Sequence, residues 1–142
     1  MKRFLKLPLH KKHLIVEAIA VLWIASFLRL AIPFRHMAAM VSHPDPPFAG
    51  LERQSELIAE TRWAVAAAAR RVPWRALCYE QGFAVQWLLR RHGVPVTLHY
   101  GVARKPKEGL VGHVWARSGE LDVIGCEIAS DYVELAQFPK TN

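Results

Sequence analysis

The stretch CYEQGFAVQWLLRRHGVPVTLHYGVARKPKEGLVGHVWARSGELDVIG, Cys78–Gly125, decides the fold. Its first part has helical spacing. Cys78, Gly82, Val85 and Leu89 recur on one face, and Gly93 followed by Pro95 stops the run after His92. That face should be buried, and Gly82, lacking a Cβ, would let another element come close. The pattern then changes to alternation. VTLHYGVA (Val96–Ala103) sets Val96, Leu98, Tyr100 and Val102 on one side, and RKPKEG connects it to LVGHVWAR (Leu110–Arg117). Ser118-Gly119 reads as a tight turn into a third strand, ELDVIG (Glu120–Gly125). Helices followed by hairpin-linked strands make an α+β pattern with an antiparallel sheet.

Upstream, residues 51–71 predict a helix, with Leu51, Ser55, Ile58 and Arg62 as one line and AVAAAA supplying propensity, and Pro73 stops it. His13 to Leu30 predicts a longer helix that breaks near Pro33, followed by a loop. Ser42-His43-Pro44-Asp45-Pro46-Pro47 is extended or turn-like and is the one internal boundary. The expected organisation is therefore residues 1–50 as a basic, apolar helical segment with a Pro-rich linker, and residues 51–142 as the core.

A chain of 142 residues with a 52% hydrophobic share can build one core without metal or disulfide support. Its two cysteines, Cys78 and Cys126, form neither a CxxC pair nor a zinc-finger set, so no metal site and no disulfide framework is expected. A reduced, cytoplasmic setting follows, in which thiolate chemistry is possible. Of the net charge of +7, residues 1–40 hold +6, seven basic residues against Glu17 alone. Arg70-Arg71 and Arg90-Arg91 fall at helix ends, where cations suit the helix dipole, and no basic face interleaved with aromatics argues for nucleic acid. The uncharged run Ala18–Leu28 is short of the roughly 20 residues that span a bilayer. It reads as a packing helix, with loose attachment to an anionic membrane surface as the other option.

Cys78 at a helix N-terminus has the unpaired N–H groups and the dipole that stabilise a thiolate. A nearby imidazole can take the thiol proton and return it to a leaving amine, and His113, between Gly112 and Val114 in mid-strand, is the best candidate. Taken alone, these residues also fit a small buried cysteine and a satisfied strand histidine. Trp115, on His113's side of the strand, fits either a shield for the pair or core filling.

The wider pattern is more specific. PWRALCYEQGFAVQWLLRRHGVPVTLHYGVARKPKEGLVGHVWARSGELDVIG resembles the lasso-peptide leader peptidases, a branch of the transglutaminase-like, papain-related cysteine enzymes. Cys78 opening a helix, QWLLRRHGVPV at its end, LHYGVARKP, the GHVW strand and a short hairpin coincide, and FLKLPLHKKHLIVEAIAVLW extends the likeness over nearly the whole chain. The resemblance implies a cysteine-bearing helix packed on an antiparallel sheet that carries the histidine. It also implies hydrolysis of one peptide bond at the leader–core junction of a ribosomal precursor peptide, without metal or other cofactor, which frees an amine for a separate lasso cyclase. Some family members carry a fused leader-recognition domain; the short segment before residue 51 implies a separate leader-binding protein here. The alternatives are an inactive membrane-associated binding protein of the same fold, or a related amidase or acyltransferase.

The sequence departs from that family at the third catalytic position. An aspartate is commonly found near VIG, whereas this chain has LDVIGCE, with Cys126 in roughly that slot and Asp122 a few residues earlier. Asp122 is the expected orienting acid: a four-residue turn at Ala116–Gly119 sets it opposite His113, and a two-residue turn at Ser118-Gly119 sets it diagonal on the same face. Glu127, Asp131 or a bare Cys78–His113 dyad are the other choices.

Overall fold

A computed structural model describes residues 2–41 and 50–140 of the chain. The Pro-rich linker 42–47 lies outside the described residues. Among the described residues five helices precede the sheet: α1 (Lys2–Leu5), α2 (Leu9–Ala31), α3 (Phe34–Val41), α4 (Leu51–Ala69) and α5 (Cys78–Arg91). Strands β1 (Thr97–Lys105), β2 (Gly109–Ser118) and β3 (Leu121–Ile124) follow, then a 3-10 helix (Cys126–Asp131) and β4 (Val133–Phe138). The sheet is antiparallel in the order β3-β2-β1-β4, so the α+β expectation holds.

The helices form where the sequence switches to helical spacing, and they end where its chemistry demands. Pro33 separates α2 from α3, because the residue before a proline is pushed out of helical geometry and Ile32 is extended there. Gly93 takes a positive φ just beyond α5. The loop expected after residue 33 is instead α3, whose Met37 is fully buried.

On α5 the expected face is buried at Gly82, Val85 and Leu89, while Cys78 at its start is half-buried. A Cβ on Gly82 would lie 3.0 Å from Val114 of β2 and 3.4 Å from Leu98 of β1, so the missing side chain sets the distance between helix and sheet. Gln86, also buried, donates from Nε2 to the carbonyls of Val96 and Phe138, tying α5 to the end of the β1–β4 pair where β1 begins and β4 finishes. The α4 line falls differently from the expected one. Gln54, Ile58, Thr61, Val65 and Ala68 are buried, whereas Ser55 and Arg62 face outward. An alanine-rich helix carries little periodic information, since small apolar residues suit either face.

Ile15, Ala18, Val21, Leu22 and Ala25 of α2 belong to the same core as α4, α5 and the sheet. Residues 1–50 therefore contribute to that core through α2 and Met37. Helix α2 is also longer than the uncharged run within it: 23 residues, with a mean hydropathy of 2.1 over its most apolar window, which meets the length and composition of a membrane-crossing helix. Its inner face is nevertheless committed to α4 and α5.

The Gly82 contact yields a direct check. Gly82→Val should destabilise the fold by about 1–3 kcal/mol, the usual cost of overpacking a filled core, read as a lower urea midpoint. An unchanged midpoint would mean that α5 is not seated on Val114.

Candidate active site

Cys78 is the first residue of α5, behind an extended Leu77. Its helix start is organised by Glu80, which is fully buried: Glu80 Oε2 accepts the Leu77 N–H at 2.8 Å, satisfying one orphan donor of the first turn. Arg29, in the last turn of α2, brings its Nε to 3.6 Å from Glu80 Oε1, an ion pair rather than a hydrogen bond. Burial holds the neighbouring Tyr79 hydroxyl above its ordinary pKa, with the Arg29 charge opposing the rise. The N-terminal helix thus reaches the turn that carries Cys78.

His113 lies on β2, opposite Gly101 of β1. The pleat turns Val114 toward α5 and leaves His113 and Trp115 on the alternate side. The His113 ring, 8% exposed, sits between Trp115 (centroids 5.9 Å apart) and Tyr132 (4.9 Å). Trp115 stacks in turn on His99 at 5.5 Å. It therefore shields His113 rather than filling the core between helices and sheet, a role the sequence left open.

The orienting partner differs from the expected one. His113 Nε2 is 2.7 Å from the Gly125 carbonyl, so Nε2–H donates and Nδ1 is the basic nitrogen of the neutral ring. The β2–β3 turn comprises Gly119 and Glu120, one residue later than expected, with Gly119 taking a positive φ. That shift sets Asp122 opposite Arg117, not His113, and a bulge then pairs Ala116 with Ile124. Asp122 is 56% exposed and forms an ion pair with Arg117 at 3.0 Å. Glu127 and Asp131 are exposed on the 3-10 helix.

Gly125 was missed because a carbonyl has no side-chain signature. Its φ of +74° is a glycine's, and a Cβ there would stand 2.9 Å from Val114 O and 3.2 Å from His113 Nε2. Cys126, in the slot where an acid was expected, donates its thiol to Ala116 O at 3.2 Å. Burial raises its pKa, with the Arg117 guanidinium working the other way.

Cys78 and His113 both border a cleft of about 1530 Å³ walled by α3, the end of α2 and β4. Among the described residues no hydrogen bond joins the two side chains, and no cluster of His, Cys, Asp and Glu could hold a metal ion. Helix-borne cysteine, strand-borne histidine and antiparallel sheet are the parts of a thiol acyl-transfer site. The sequence model of the Transglutaminase-like superfamily matches residues 20–136. The chain belongs to the transglutaminase-like superfamily. No curated protein and no solved structure gave a significant match. Membership supports cysteine-peptidase or acyl-transfer chemistry, and the matched range takes in the C-terminal half of α2 as well as α5 and the sheet.

In this transglutaminase-like protein the two thiols should differ in reactivity. Iodoacetamide should label Cys78 first, followed by peptide mass spectrometry. Because the Cys126 pKa is raised, its labelling rate should keep climbing with pH beyond the point at which an ordinary thiol levels off. Preferential labelling of Cys126 at neutral pH would contradict the assignment.

Proposed function

We propose that the protein is a cysteine peptidase that removes the leader from a lasso-peptide precursor, with Cys78 as nucleophile and His113 as general base and acid. The observation that carries the reading is the shared cleft: a cysteine in the first turn of a helix and a strand histidine border one space of peptide dimensions. Its far wall is β4, the edge strand of the sheet, whose residues 134–138 run along the cleft. An edge strand offers unpaired main-chain groups to an extended chain, which favours a peptide over a compact small molecule.

In the reaction, Nδ1 of His113 takes the Cys78 proton, and the thiolate attacks the scissile carbonyl to form a tetrahedral oxyanion. Backbone N–H groups at the start of α5 hold that charge. The imidazolium then protonates the leaving amine, the C–N bond breaks, and a thioester remains on Cys78. Water activated by His113 hydrolyses it and restores the thiol. The Gly125 carbonyl keeps Nε2 protonated throughout, which leaves Nδ1 for the proton transfers. Val114 rather than His113 faces α5, so the transfer requires the His113 and Cys78 side chains to be brought together when substrate binds.

The product amine goes to a separate lasso cyclase, and a separate leader-binding protein delivers the precursor in the cytoplasm. This finer reading rests on QWLLRRHGVPV, LHYGVARKP and GHVW. Acyl transfer to an amine is the second reading, because the superfamily includes transglutaminases as well as peptidases. The two differ in whether water or an added amine resolves the thioester.

Cleavage of a precursor, followed by mass spectrometry, tests the assignment. Cys78→Ala should abolish it and Cys126→Ala should not; full activity in Cys78→Ala would sink the proposal. Gly125→Ala should slow turnover at least about tenfold, roughly 1.4 kcal/mol of transition-state stabilisation, because its methyl group displaces the His113 ring. Asp122→Asn should stay near wild type. A large loss there would reinstate the acid as the orienting group.

A further inference from the structure

The outer face of α2 carries an apolar stripe that the fold leaves uncovered. Leu9, Val16, Trp23, Phe27 and Leu30 recur at helical spacing, and all are exposed, Phe27 by 72% and Leu30 by 79%. Cations gather at the N-terminal end of the stripe. Arg3 and Lys6 face solvent, Lys12 donates to Leu5 O at 2.9 Å, and Lys11 lies 5.3 Å above the ring of Trp63 on α4. Glu17, the one acid in residues 1–40, is paired with Arg91 at 3.7 Å.

We infer that this face docks on an anionic bilayer surface, with α2 lying in the interface plane. The charge selects that occupant. Residues 1–40 carry a net +6, so a second copy set face to face would bring two such charges together, whereas an anionic headgroup layer neutralises them. The residue types agree, since tryptophan and phenylalanine on an apolar face bordered by lysine suit the headgroup boundary. The packing excludes a spanning helix: Ile15, Ala18, Leu22 and Ala25 are fully buried in the core, which a span would dismantle. Because Arg29 and Ile32 border the cleft, docking sets its mouth beside the membrane. This inference is independent of the reaction proposed for the cleft.

Co-sedimentation of the full chain with phosphatidylcholine vesicles, with and without phosphatidylglycerol, tests it. The protein should sediment with the mixed vesicles and poorly with the neutral ones, and added salt should weaken the binding. Phe27→Asp with Leu30→Asp should reduce binding at least about tenfold without changing the urea midpoint, because both side chains are exposed. Arg3→Glu with Lys6→Glu should weaken binding and flatten its salt dependence. In the unmodified protein, brominated lipid should quench tryptophan fluorescence. Four results would overturn the inference: equal binding to neutral vesicles, undiminished binding of the Phe27/Leu30 variant, no quenching, or a dimer in light scattering that this variant dissociates.

Discussion

The seating of α5 on the sheet at Gly82 is the constraint from which the rest follows. With Val114 and Leu98 already in contact with the place where a side chain would begin, the helix can approach no closer, and its tilt decides where its first turn emerges. Cys78 is that first turn. Val114 meeting the helix also decides the phase of β2, because successive strand residues alternate sides. His113 and Trp115 are thereby sent to the opposite side, where the 3-10 helix and Gly125 receive the imidazole. Gln86 closes the arrangement by holding α5 to the carbonyls of Val96 and Phe138.

A second fastening joins the N-terminal helix to the same turn. Glu80 accepts the Leu77 N–H and pairs with Arg29, so a buried carboxylate serves α5 as an N-terminal cap and α2 as an anchor. An isolated carboxylate at that depth would be costly to bury; the amide and the guanidinium together offset that cost. Helix α2 is thus part of the scaffold for Cys78, consistent with a family match that begins at residue 20.

The sequence was legible where one physical signal dominated. Helix α5 and strands β1 to β3 could be read because Gly93 and Pro95 mark a stop and the alternation after them is regular. The places of Cys78, at the start of a helix, and His113, in mid-strand, could be read for the same reason. Strand β4 was not legible. Its apolar residues Val133 and Leu135 face solvent at the sheet edge, and a register shift near Gly101 interrupts alternation. The orienting partner of His113 was hidden for two reasons. A one-residue shift in the β2–β3 turn moved Asp122 to Arg117, and the replacement is a main-chain oxygen that no residue type announces.

Gly101, opposite His113, limits how such a protein can drift. A Cβ there would come within 2.8 Å of Val133 O and 3.0 Å of the Trp115 ring. Trimming Trp115 would clear only one of these obstacles, since the other is the backbone of β4 itself. A lineage that gives up this glycine must therefore shift the β4 backbone at Val133 in the same step.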